Sequence, residues 1–339
     1  MRRRSVALLV AAGLIAASCN SSNGPSEGLS PTLVTETTIP AAYQTGDSAL
    51  IFDQEQLHSF HLDLAPELLA EIDADPAAEE YVEGTLTFAG ETLPVGIRYK
   101  GSVGAFVNCL SGSNIFEPSG EKTCTKLSMK VKTNWNDTDD TFYGLKKLQF
   151  HAQNLDPSLM HERLGYWLFR EMGVPAPRSV HARVVVNGEY VGLFALTEQI
   201  DGRFTRENFE DGRGNLYREV WPLSPQGQPF AEHVYLEALK TNEEEDPTAE
   251  LIRGFGSALA AAEPDDVPQL LEKWVDVDQM LAYAVVDRVI GNDDGVFHFY
   301  CSDSNWCTSH NFFWYEDPVT DKLHLIPWDL DNAFENILR

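Results

Sequence analysis

Asn187-Gly188 stands between two runs of alternating, β-branched and aromatic residues, SVHARVVV (179–186) and EYVGLFALT (189–197). An Asn-Gly pair supplies the two positive φ angles of a type I′ turn, so these runs are committed to pairing as an antiparallel hairpin. The segment before it has helical spacing. Asp156 is placed to cap a helix and Pro157 suits its first turn. Met160, Leu164 and Leu168 recur four apart, Trp167 widens the apolar stripe, and Gly173 and Pro175 end it. Further upstream, KLSMKVKT (126–133) alternates: Leu127, Met129 and Val131 face one way, Lys126, Ser128, Lys130 and Lys132 the other.

Strand patterns also cover LHSFHLDL (57–64) and the two runs flanking Ala89-Gly90, with a short helix PELLAEIDA (66–74) between them. After Gln199 the chain turns polar, then becomes helical by period, and it closes in a hairpin turning near Pro318 to Asp321. Strands with one inserted helix, a connector, then helices with a terminal β-hairpin describe an α+β chain of two lobes. The expected lobes are 49–200, strand-rich, and 201–339, helical, with the boundary near 198–205.

A formal net charge of −27 over 339 residues excludes nucleic acid as an expected partner, because phosphate contacts need Lys and Arg. Arg2 to Arg4, an apolar stretch from Val6 to Ala17 and small residues up to Cys19 read as an export signal, too short to span a membrane. IAASC resembles a bacterial lipoprotein cleavage site, with Cys19 lipidated and Ala16 where Leu is usual. Residues 20–48, rich in Ser, Thr, Gly and Pro, form the expected flexible tether. An exported chain with four remaining cysteines points to two disulfides. Sequence-local pairing gives Cys109–Cys124 and Cys301–Cys307. That is one of three connectivities, and a zinc site is the rival although neither pair has two-residue spacing.

The chemistry-bearing residues follow the same order. A strand lysine oriented by a carboxylate can neutralise nucleotide phosphates, and Lys130 with Glu162 offers that pair. Alone, the same lysines describe a solvated strand face. Asp329 ends the apolar run HLIP and Asp331 follows two residues on. Asn311 heads the facing strand, so one hairpin can hold a magnesium ion from both arms with hard oxygen ligands. Upstream, GNDDG (291–295) carries an aspartate able to accept the proton of an attacking hydroxyl, or is simply a turn.

KLSMKVK (126–132), GLKKLQF (144–150), DPSLMHERLGYWLFREMGVPAPRS (156–179), VNGEYVGLFALTEQID (186–201), GNLYR (214–218) and IPWDLDNAF (326–334) together resemble the CotH family of spore-coat-type atypical kinases. The resemblance runs from about residue 95 to 335. It implies a protein-kinase-like fold that uses ATP and a divalent metal, Mg or Mn, to phosphorylate Ser or Thr. By position it implies that Lys130 binds phosphate and Glu162 pairs with it. Glu198 and Gln199 would then sit beside the adenine, Asp294 would be the catalytic base, and Asn311, Asp329 and Asp331 would bind metal. RYKGSVG (98–104) is similar to the family's glycine-containing loop, which makes Gly101 and Gly104 phosphate-loop candidates. Asp293 stands where the family commonly has Trp, and the link from Asp294 to Asn311 is longer than usual. The family continues with helices past this point, whereas eight residues follow Asp331; the second lobe is minimal or the chain a fragment.

The resulting expectation is an exported, membrane-anchored lipoprotein kinase acting on an extracytoplasmic protein. The alternative is a surface or envelope protein that keeps the fold for structure or adhesion.

Overall fold

The computed structural model describes residues 47–101, 104–112, 114, 117–137, 141–245, 247–301 and 307–334. Cys19, the export signal and most of the tether lie outside them. All described residues fall within one unit, built over two large hydrophobic cores and a smaller third. Among them no helix is long and apolar enough to cross a membrane.

After a one-turn helix α1 (Ser48–Ile51), strand β1 (His58–Asp63) leads into α2 (Pro66–Ala74), which has the bounds its sequence predicts. Strands β2 (Val82–Phe88) and β3 (Glu91–Tyr99) turn at Ala89 and Gly90, both with positive φ. Next come β4 (Met129–Lys132), β5 (Lys147–His151), α3 (His161–Glu171), β6 (Ser179–Val186) and β7 (Glu189–Thr197). The seven strands close into a barrel in the order β1-β2-β3-β4-β5-β7-β6. Pairing is antiparallel throughout except where β6 runs parallel to β1 and seals it. Period-two alternation sends Ile97, Val131, Leu148, Phe150, Leu196 and Val180 inward. Phe60 fills the middle, with the ring centroids of Phe88 and Phe150 at 4.9 and 5.2 Å from its own.

The remaining elements are α4 (Gly202–Asn208), β8 (Leu216–Arg218), α5 (Glu232–Glu237), α6 (Glu250–Ala261), α7 (Val267–Trp274) and α8 (Val277–Val289). They are followed by the two-residue strands β9 (Tyr300–Cys301) and β10 (Cys307–Thr308) and by the hairpin β11 (Phe312–Asp317) and β12 (Lys322–Pro327). The terminal hairpin forms as expected, and β8 adds to its open edge. The chain is thus α+β. Disulfides join Cys109 to Cys124 and Cys301 to Cys307, the sequence-local pairing.

Helix α3 departs from expectation in two ways. It starts at His161 rather than at Pro157. Leu159 is left-handed (φ 57°), so residues 157–160 form a turn, and Asp156 accepts from the N–H groups of both Ser158 and His161 at 2.8 Å. Asp156 therefore caps the helix from five residues away. The buried face is also not the apolar stripe. Leu164 and Trp167 are 41% and 48% exposed, while Glu162, Tyr166 and Phe169 are fully buried. Tyr166 and Phe169 join the second core, so α3, sequentially inside the barrel strands, packs away from the barrel interior.

Candidate active site

Cross-strand register builds one row on the outside of the barrel: Arg98, Lys130, Gln149, Thr197 and Ser179, each opposite the next. Two residues further along their strands, on the same face, come Lys100 and His151. Helix α3 lies over this face and lowers Glu162 onto it. The Glu162 carboxylate takes its two hydrogen bonds from the barrel: Thr197 Oγ1 at 2.7 Å and His151 Nδ1 at 2.6 Å. The other ring nitrogen of His151 lies 2.6 Å from Lys100 Nζ. With the ammonium charged, Lys100 has only protons to give, so His151 Nε2 accepts and Nδ1–H donates to Glu162. Thr197 has given its proton to Glu162, so the Ser179 hydroxyl, 3.0 Å away, donates to Thr197. A lysine and a glutamate are thereby joined through the His151 ring.

Asp329 enters the same space from the end of β12. Its backbone is left-handed (φ 50°), and its N–H donates to the Tyr166 hydroxyl at 2.9 Å. Ligand atoms of His151, Glu162 and Asp329 all lie within 4.8 Å of one another. Trp328 walls this cluster, edge-on to His151 at 5.6 Å, with Lys100 Nζ 5.6 Å from its ring centroid. Gly165 allows the close approach of α3 to this segment, since a Cβ there would sit 2.7 Å from Leu330 Cδ1.

The third contribution follows α8. Buried Asp287 accepts from Asn292 Nδ2 at 2.9 Å and from Arg288 Nε at 2.9 Å, which fixes the turn that presents Asp294. Asp294 Oδ2 accepts from Asn311 Nδ2 at 3.0 Å and Asn332 Nδ2 at 3.1 Å. Its other oxygen accepts from the Tyr300 hydroxyl. Asn311 also donates to the Asp294 carbonyl at 3.0 Å.

Negative charge is in excess here. Burial pushes the Asp329 carboxyl up, and Glu162 adds to this against His151 and Lys100. Asp331 is pushed up to about 8 by burial and then by Asp329, Glu162 and Asp294. Burial lowers Lys100, opposed chiefly by Asp329. Buried like charges of this kind are relieved by a cation. The oxygen donors of Asn311, Asp329 and Asp331 fit a hard divalent ion such as Mg or Mn.

The structure therefore brings Asp294, Asn311, Asp329, Asp331 and Glu162 into one neighbourhood. It does not form the expected Lys130–Glu162 pair: among the described residues, Glu162 is held by His151 and Thr197. Lys130 sits in the row one step short, opposite Arg98. Burial, then Lys100, Lys147 and Arg98, push its ammonium down to about 7. The lysine linked to Glu162 is Lys100.

Glu198 is likewise committed elsewhere. Its carboxylate accepts from the Arg178 backbone N–H and Nε and from Arg203, and its own N–H donates to the Arg178 carbonyl. Its side chain braces the connector instead of offering an edge to a base. Gln199 keeps a buried side-chain oxygen with no hydrogen-bond partner among the described residues. The Gly101 N–H is bound to Glu79 Oε1 at 2.8 Å, and Gly104 opens the short 3-10 turn Gly104–Phe106.

Lys100, His151, Thr197, Asn332 and Tyr300 were not anticipated. A signal for two of them exists. Arg98 and Lys100 alternate as a polar pair in IRYK, and Gln149 and His151 do the same in KLQFH.

The CotH kinase protein family model matches residues 97–339. The chain is 22% identical over 288 residues to the inner spore coat protein H of Bacillus subtilis (strain 168), an alignment covering 82% of this chain and 69% of that protein. It is 36% identical over 56 residues to an inner spore coat protein H-like protein of the same organism, covering 16% of this chain and 18% of the relative. On a match that spans well over half its length, the chain belongs to the CotH kinase protein family.

Proposed function

We propose that the chain is a phosphotransferase that passes the γ-phosphoryl group of ATP to a Ser or Thr hydroxyl of an extracytoplasmic protein. The convergence of Asp294, Asn311 and Asp329, from three separate segments, supports this reading above all. In this role the barrel and the helical part act as the two lobes of a kinase-like fold. Asn311, Asp329 and Asp331 hold Mg or Mn, which screens phosphate charge when bound. Lys100, fixed through His151 to Glu162, sets a positive charge beside the phosphates, and Lys130 lies within reach along the same face. Gln199 accepts from the adenine. Asp294 takes the proton of the attacking hydroxyl, and Asn311 and Asn332 orient its carboxylate. The chemistry is positioning and electrostatics among largely buried groups, which act far more strongly there than in water.

Two disulfides and likeness to a spore coat protein fit an extracytoplasmic location. Lipid anchoring through Cys19 belongs to the same proposal. The disulfides also favour a second reading, an envelope protein that has kept the fold without transfer. The purified protein with γ-labelled ATP and Mn or Mg decides between them. Label transferred to acceptor protein and abolished by Asp329→Ala supports the kinase. Neither label nor an ATP-dependent rise in melting temperature rejects it.

A further inference from the structure

The carboxylate assigned to take a proton from the acceptor already holds a hydroxyl. Tyr300 donates its phenolic proton to Asp294 Oδ1, while Asn311 and Asn332 occupy Oδ2. The phenol and the metal-side amides thus sit on the two oxygens of one carboxylate. A hydroxyl about to attack phosphorus must be bound to its base on one side and face the metal-held phosphate on the other.

Nor is Tyr300 a loose side chain. It lies on β9, which pairs with β10 in the register Cys301 with Cys307 and Tyr300 with Thr308, and the Cys301–Cys307 disulfide ties that pairing covalently. Its ring packs near those of His298 and His310, with centroids 4.6 and 5.4 Å away. Tyr300 is nevertheless 45% exposed, so it is not there to fill a core.

We propose that Tyr300 is a phosphoryl acceptor in cis, seated on Asp294 by the disulfide-tied β9–β10 pair. This rests on the phosphotransfer reading above. In the step, Tyr300 Oη bonds to the γ-phosphorus of ATP. The bond from that phosphorus to the β,γ-bridging oxygen breaks, its electron pair leaves with ADP, and the phenolic proton passes to Asp294 Oδ1. Until then Tyr300 excludes any other hydroxyl from the base. Afterwards the phosphate beside Asp293 and Asp294 is repelled, which vacates the seat for a second acceptor.

The test incubates the purified protein with Mn and ATP and maps modified residues by mass spectrometry. Phosphotyrosine is expected at Tyr300. Its fraction should be unchanged when the protein is diluted, and it should be lost wholly in Asp329→Ala. Tyr300→Phe, at an exposed position, should fold as the parent does and transfer label to an added acceptor without the initial lag that phosphorylation of Tyr300 imposes on the parent. Phosphate on Ser or Thr with Tyr300 unmodified overturns this inference and leaves the phosphotransfer reading standing. No phosphate anywhere and no ATP-dependent change in melting temperature removes both.

Discussion

His151 joins Lys100 to Glu162, with its two ring nitrogens 2.6 Å from each. Glu162 is fully buried and has Thr197 as its other donor. Removing the imidazole leaves a buried carboxylate with half its hydrogen bonds, which costs about 2–3 kcal/mol. His151→Ala should lower the stability of the folded chain by that amount in urea unfolding. His151→Gln, whose amide can still donate to Glu162, should recover part of the loss. Equal losses in the two variants would show that ring packing against Trp328, not the bridge, is what matters.

The same bridge separates the roles of two lysines. Lys100 reaches Asp329 and Glu162 electrostatically, whereas the strongest charges acting on Lys130 are other cations. If the site transfers phosphate, Lys100→Ala should reduce transfer by about a hundredfold, the scale of losing one preorganised charge. Lys130→Ala should reduce it by less than about tenfold, since about half of its positive charge is already lost near pH 7. Initial rates with saturating Mn and ATP compare them, and a reversed order would return Lys130 to the leading role.

That reversal of lysines shows where sequence reading stops. Hairpins at Ala89-Gly90 and Asn187-Gly188, α2, both disulfides and the order of Asp294, Asn311 and Asp329 were all legible. They depend on local turn chemistry, short loops or linear order. Lys100, His151 and Thr197 meet only because β3, β4, β5 and β7 pair in one register, and register is a long-range property. The α3 face was misread for a related reason. Its period fits two stripes, and apolar content selects Leu164 and Trp167. The stripe with Glu162 is buried instead because two barrel strands supply donors for its carboxylate, which the helix sequence alone does not reveal.

Away from the site, Glu316 on β11 is buried among the Ile252 N–H and Asn215 Nδ2, 3.0 and 2.9 Å away, and Tyr217. Burial outweighs these bonds and raises its carboxyl from 4.5 to about 6. Between those values the folded state binds more protons than the unfolded one, so this group's contribution to stability falls as pH rises through the window. The shift corresponds to about 2 kcal/mol, complete above roughly pH 6. Glu316→Gln should flatten the stability profile between pH 4.5 and 6 relative to the parent, measured as paired urea midpoints. Parallel profiles would refute the assignment.

Burial acts in the same direction at the metal site. Without a cation, Asp329 is raised by burial and by Glu162, and Asp331 by burial and by Asp329. Through Asp331 the folded state then holds an extra proton between the unfolded value near 3.8 and about 8, so its contribution to stability falls as pH climbs through that range. A divalent ion reverses this by binding only the folded, ionised cluster. It should stabilise by about 2.7 kcal/mol at a hundredfold excess over its dissociation constant. Protons compete for the same oxygens, so the rise in melting temperature with Mn should be larger at pH 8 than at pH 6. Asp331→Asn removes one repelled carboxylate and one ligand together. It should therefore melt higher than the parent at pH 8 in chelator and respond less to Mn. If the variant instead melts lower in chelator and keeps the full Mn response, Asp331 is neither a repelled partner of Asp329 nor a ligand.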